Sequence, residues 1–196
     1  MKKEWIEWIL SWCDSTTEKD LPRILLVGDS ITHGYQTLVR GLLKGVCYVD
    51  YLSVSYAIDT KMYNDLVKNF AKDSEYALIH FNHGLHGIHM TQRTYKSRMK
   101  KLLGELSKKS KIVLAKTTYV YESGNKKPHK AWMKRVKERN NVIDELSLEL
   151  QFPIDDLYAV SVGIPKEFRE EDGTHYKADG YKILAEAVAE SVKKSL

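Results

Sequence analysis

Short apolar runs alternate along this chain with longer segments in which apolar residues recur every three or four positions. The runs Arg23 to Val27, Val46 to Val54, Tyr76 to Phe81 and Lys111 to Lys116 have strand length, and a shorter one spans Pro153 to Leu157. Between them, the spacing predicts a helix over Ile31 to Leu43, with Gly45 just past its end as a C-cap would be. A second runs from Thr60 to Ala71 with Met62, Leu66 and Phe70 on one face. A third carries Tyr95, Met99, Leu102, Leu103 and Leu106, and a fourth Trp132, Val136, Ile143, Leu146 and Leu150. The last helix presents Tyr181, Leu184, Ala185, Val188 and Val192. At the start, Trp5, Trp8 and Trp12 share a helical face, which predicts an extra N-terminal helix over residues 3 to 13 that docks on the body.

Strands that alternate with helices pair in parallel, because each crossover connection returns the chain in the same direction and covers a face of the sheet. The expected fold class is therefore α/β, a flavodoxin-like three-layer αβα sandwich with a five-stranded parallel sheet. At 196 residues, with 43% hydrophobic and 29% charged, residues 1 to 196 suit one globular domain able to hold a pocket.

The formal charge of +5 gathers in Lys126 to Arg139. There Trp132 and Val136 share one helical face and the cations cover the rest, the pattern of a solvated helix, so no nucleic acid is expected as a partner. Cys13 and Cys47 are too few for a disulfide framework and lack metal-site spacing. Glu4 and Glu7 interrupt the apolar run at the N-terminus and no stretch approaches a membrane span, so the expectation is a cytoplasmic protein without a membrane segment.

The candidate chemistry starts in ILLVGDSITHG, Ile24 to Gly34, where a buried strand turns into a helix. A serine at that turn lies on the binding rim of an α/β sheet, where helix N–H groups are unpaired. Ser30 can serve there as a nucleophile, or it can cap the helix. A nucleophilic serine needs a base, a group to orient the base, and donors for an oxyanion. Asp172 and His175, in DGTH before the last helix, have a spacing that lets the carboxylate meet Nδ1 while Nε2 faces a serine. Asn82, at the end of the third strand, reaches the same rim with a side-chain amide.

GDSIT after the first strand, Asn82 after the third, and DGTHY followed by KADGYKILAEA resemble the SGNH, or GDSL, hydrolase family, in order and spacing over residues 24 to 190. The GxSxG elbow of α/β-hydrolases is absent, because Thr32 stands where its last glycine would be. The resemblance implies Ser30 as nucleophile, His175 as base and Asp172 as its support. It implies an oxyanion hole from the Ser30 N–H, Asn82 and a backbone donor after the second strand, where Ile58 replaces the family's glycine. Around Asn82 the family pattern GxND becomes His80, Phe81, Asn82, His83. The family's esterases, lipases and carbohydrate deacetylases need no metal or organic cofactor, so none is expected.

His80, His83, His86 and His89 recur every three residues, yet Gly84 and Gly87 oppose a regular helix and no cysteine or carboxylate joins them, so no metal site is expected. Asp29, His83 and His86 are candidate substrate-facing residues, and Tyr119 and Tyr121 are candidates for a cleft wall or for surface packing. The function expected is a serine ester hydrolase that cleaves small acyl esters, acetyl first, of a small molecule or carbohydrate through an acyl-enzyme. Two alternatives stay open: a flavodoxin-like module that cradles phosphate or flavin on VGDSITHG, and a hydrolase-derived protein that binds ligand without turnover.

Overall fold

The computed structural model describes residues 3–196. Its sheet contains β1 (Ile9–Trp12), β2 (Arg23–Gly28), β3 (Tyr48–Val54), β4 (Tyr76–Phe81), β5 (Lys111–Ala115) and β6 (Ile154–Asp155). The helices are α1 (Ser30–Leu42), α2 (Lys61–Asp73), α3 (Gln92–Leu106), α4 (Lys130–Leu150), α5 (Leu157–Gly163) and α6 (Ala178–Ser195). The strand order is β1-β3-β2-β4-β5-β6. From β3 to β6 all neighbours are parallel, in the doubly wound order that reverses direction between β2 and β4.

The sheet thus has six strands rather than five, and the sixth corrects the expected N-terminal helix. Residues 9 to 12 pair antiparallel with β3, from Ile9 opposite Val54 to Trp12 opposite Tyr51. The tryptophans do not form one docked face: Trp5 is 98% exposed and Trp12 56%, while Trp8 is half-buried. Spacing at three and four fits a helix, but the outer edge of β3 offers a row of backbone partners that the short segment cannot match internally. At the other edge β6 shrinks to two residues, and Leu157 opens α5 instead of closing the strand.

Alternation along β2 divides the core. Ile24 and Leu26 join Tyr35 and Val39 of α1 and Leu184, Ala185 and Val188 of α6 on one face of the sheet. Leu25 and Val27 join Tyr63 and Val67 of α2, Tyr95, Met99, Leu102 and Leu103 of α3, and Val142, Ile143 and Leu146 of α4 on the other. In α2 the buried stripe centres on Tyr63 and Val67; Leu66 and Phe70 flank it, and Met62 is 46% exposed. In α4, Arg139 and Asn140 are buried beside Val136 and Ile143, so the basic segment is not solvated throughout.

Helices α1 and α6 pack closely because Gly34 leaves room for Tyr181. A Cβ at position 34 would lie 2.1 Å from the Tyr181 ring. Gly34→Ala is therefore expected to lower stability by about 1 to 3 kcal/mol through overpacking, as chemical denaturation would measure. An unchanged midpoint would show that the two helices separate freely.

Candidate active site

The turn from β2 into α1 gives Asp29 and Ser30 different tasks. Asp29 is the N-cap: its Oδ1 accepts from Ile31 N at 2.9 Å, and its carbonyl accepts from His33 N at 3.0 Å. Ser30 is thereby released from capping, and its Oγ lies 2.8 Å from His175 Nε2. Asp29 is 2% exposed and its Oδ2 has no partner among the described residues.

His175 comes from a tight turn before α6. A bridge between Arg169 and Tyr176 closes its base, and Glu170 N donates to His175 O at 3.0 Å. Between them Gly173 adopts φ +78, a conformation that costs glycine little. A Cβ there would also meet Tyr121 O at 2.3 Å. Asp172 Oδ1 accepts from the backbone N–H groups of Thr174 and His175, at 2.8 and 2.9 Å. That aims Oδ2 at His175 Nδ1, 2.5 Å away. Burial alone would raise the pKa of Asp172, but the hydrogen bonds from the His175 ring and from the two backbone N–H groups outweigh it and hold the carboxyl below its ordinary value. The geometry thus joins Ser30, His175 and Asp172 in one chain of hydrogen bonds.

Asn82 follows β4 on the same rim, and its N–H donates to Val27 O at 2.9 Å. Its Nδ2 donates to the carbonyls of Ala115 and Lys116, at 3.2 and 3.4 Å. Ile58 sits fully buried in the turn between β3 and α2. It is not among the residues with positive φ, so its β-branched side chain meets no left-handed strain. Its neighbour's carbonyl, Ala57 O, accepts from Thr60 N at 2.9 Å and Thr60 Oγ1 at 2.7 Å.

The histidines part company. His80 is buried, with Nε2 2.9 Å from Asp155 Oδ2. His89 Nε2 lies 2.9 Å from Asp59 Oδ2, and His86 Nδ1 lies 2.9 Å from Glu4 Oε2. Burial opposes charge on His86, but Glu4, Asp29 and Glu7 raise its pKa overall. Burial likewise raises Glu4, but His86 and the Gly87 N–H bring it below its ordinary value, so both shifts favour the ion pair. His83 does not stand on an open wall: it is 4% exposed, edge-on to Tyr63 at 4.9 Å and stacked on Tyr95 at 5.9 Å. Among the described residues no three His, Cys, Asp or Glu side chains converge as a metal site would require. Tyr121 fixes the turn that carries His175 through its backbone, with its N–H 2.8 Å from Gly173 O, and its ring packs on Tyr119 and under Arg169.

Sequence reasoning missed the braces behind the rim. Asn140 clasps Thr117, accepting from its N–H at 2.8 Å and donating to its carbonyl at 3.0 Å. Arg139 is 2% exposed, stacks over the Tyr95 ring at 3.8 Å and donates to Gly87 O at 2.9 Å. The signal available was position: residues 136, 139, 140 and 143 share one helical face, and two of them are polar.

No protein-family model and no curated protein matches the chain. Solved structures do match. An acetylxylan esterase from Geobacillus stearothermophilus superposes with a TM-score of 0.69 at 17% identity, over 87% of this chain and 94% of that one. A lipase/acylhydrolase from Enterococcus faecalis gives 0.66 at 20% identity, over 88% and 96%. A GDSL-like lipase from Bacteroides thetaiotaomicron gives 0.69 at 17% identity, over 89% of each chain. The α/β sandwich is therefore one that ester-hydrolase structures share. No helix among the described residues is long and apolar enough to cross a membrane.

His83 supplies a measurable consequence. Neither ring nitrogen has a partner among the described residues, and burial, followed by the charges of His86 and Arg139, pushes its pKa down to about 3 from 6.5. Because the folded value lies below the unfolded one, the unfolded chain takes up the proton first as pH falls. The stability that His83 contributes is present above pH 6.5 and is lost towards pH 3, by up to about 1.4 kcal/mol per pH unit. Urea unfolding of His83→Leu should therefore depend less on pH than the wild type between these limits. Equal slopes would assign the loss to other groups.

Proposed function

We propose that this protein is a serine ester hydrolase that removes small acyl groups, acetyl first, from a hydroxylated small molecule or carbohydrate. The observation that carries the reading is the relay from Ser30 Oγ to His175 Nε2 at 2.8 Å and from Nδ1 to Asp172 at 2.5 Å. Ser30 Oγ attacks the ester carbonyl as its proton passes to His175 Nε2, while Asp172 holds the ring in the tautomer that leaves Nε2 free to accept. The oxyanion receives hydrogen bonds from the N–H of Ser30, the N–H of Ile58 and Nδ2 of Asn82, which turns one hydrogen from its long contact with the Lys116 carbonyl to the substrate while keeping Ala115 O. Collapse expels the alcohol, which takes the proton from His175. Water then adds to the acyl-serine, giving its proton to His175, and the second collapse returns that proton to Ser30 and releases the carboxylic acid.

Every step uses side chains and backbone of this chain alone. The acetylxylan esterase among the superposed structures supports acetyl groups on a carbohydrate as the first substrates to try. The binding-module alternative has less support: the Asp29 carboxyl already occupies the Ile31 N–H that an anion would seek at the start of α1. It also leaves the contact between His175 and Ser30 without a purpose.

A fluorophosphonate should label Ser30 alone and abolish hydrolysis of 4-nitrophenyl acetate, and Ser30→Ala should be inactive. Label mapped to another serine, with activity lost, would overturn the assignment. Asn82→Ala should lower kcat by about a hundred- to a thousandfold with KM nearly constant, as loss of one oxyanion donor does. Near-normal turnover in that variant would place the oxyanion elsewhere.

A further inference from the structure

The direction of the Ile58 N–H is set by the peptide plane that it shares with the Ala57 carbonyl, since a trans peptide points the two groups in opposite directions. Thr60 pins the carbonyl side of this plane with two hydrogen bonds, at 2.7 and 2.9 Å. The Ala57 methyl side is backed by Gly87: a Cβ at position 87 would lie 2.8 Å from Ala57 Cβ. Gly87 also has φ +68, so both its conformation and its neighbour resist a side chain.

Two distant segments hold Gly87. From the N-terminal side, Glu4 accepts from Gly87 N at 3.2 Å with Oε1 and pairs with His86 through Oε2 at 2.9 Å. The segment bearing Glu4 is moored on the rim beyond β3, where Trp8 N donates to Ser55 Oγ at 2.8 Å and Ser55 Oγ donates to Glu7 at 2.8 Å. From the opposite side, Arg139 of α4 donates to Gly87 O at 2.9 Å and to Met90 O at 3.4 Å. The same loop touches the turn once more, through His89 and Asp59 at 2.9 Å.

We propose that Glu4 and Arg139 are positioning residues for the oxyanion hole, gripping Gly87 by its N–H and its carbonyl and seating it against Ala57 so that the Ile58 N–H faces the reacting carbonyl. The inference rests on the reading of Ile58 as an oxyanion donor. It makes the N-terminal segment part of the catalytic apparatus, acting through Gly87 rather than through the relay of Ser30, His175 and Asp172. A misaligned donor weakens transition-state stabilisation more than substrate binding, so the signature is a fall in kcat at constant KM.

The test is steady-state hydrolysis of 4-nitrophenyl acetate, with melting temperature measured in parallel. Glu4→Ala, at an accessible site, should fold normally and lower kcat by about three- to tenfold with KM within about twofold. Glu4→Gln should recover most of the loss, because its amide oxygen still accepts from Gly87 N. Arg139→Lys, which keeps a donor, should lose less than Arg139→Met. Glu4→Ala combined with Arg139→Lys should lose less than the product of the single effects, since both act through Gly87. Glu4→Ala with wild-type kcat, or with a raised KM and unchanged kcat, overturns the inference. Ser30→Ala separates that failure from failure of the hydrolase reading: if it is inactive while Glu4→Ala is normal, only the positioning role falls, whereas an active Ser30→Ala removes the reading itself.

Discussion

The contact between Ser30 and His175 joins residues 145 positions apart and is only as well defined as the packing of α1 against α6. Ser30 is the first residue of α1, and His175 lies just before Lys177, the N-cap of α6. One turn into each helix, Gly34 and Tyr181 meet at a distance that no side chain at position 34 would allow. Tyr35 and Val39 continue the contact with Leu184, Ala185 and Val188 in a fully buried core. Burial of apolar area, which has no direction of its own, is thus converted by helix geometry into the alignment of one hydrogen bond.

Topology accounts for the other half of the site. The chain leaves β2 for β3 on one side, and β4 lies on the other, so the segments after these three strands share one rim of the sheet. The backbone bond from Asn82 N to Val27 O carries the pairing of β4 with β2 one residue past Phe81, and this places Asn82 beside the start of α1. On the far face, α4 reaches under the rim with Asn140 on Thr117 and Arg139 on Gly87. Loops that would otherwise carry unpaired backbone groups are closed by side chains from a helix that contributes nothing to the relay itself.

The parts legible in the sequence are those encoded locally. Buried parallel strands appear as continuous apolar runs, and helices as stripes, so the alternation from β2 to α4 and the closing helix α6 could be read directly, whereas the short helix α5 (Leu157–Gly163) was not. The turn GDSIT and the turn DGTH each carry their chemistry within a few residues, and the carboxyl and imidazole of Asp172 and His175 meet within one turn. What escaped the sequence depends on partners far along the chain. Residues 9 to 12 became a strand because β3 had an open edge, which the tryptophan spacing does not encode. The histidines at 80, 86 and 89 found Asp155, Glu4 and Asp59, each on another segment. Arg139 was hidden by composition, since a run of cations normally marks a surface.

Arg139 also ties the rim loop to the body. A guanidinium taken out of water needs hydrogen bonds inside; burial first, and then the charge of Arg135, lower its pKa, and its Nε has no partner among the described residues. Its acceptors within the described residues are the carbonyls of Gly87 and Met90, with the face of Tyr95 beneath it. Tyr95 in turn donates to the carbonyl of His83. Moving the loop from residue 83 to residue 90 would strand a buried cation as well as expose Met90 and Leu85. The cost of that stranded charge, rather than the modest strength of each hydrogen bond, ties the loop to α4. A hydrophobic residue in place of Arg139 could fill the same volume, but the loop would then be held only by its buried apolar residues and its remaining hydrogen bonds, without the cost of a stranded charge.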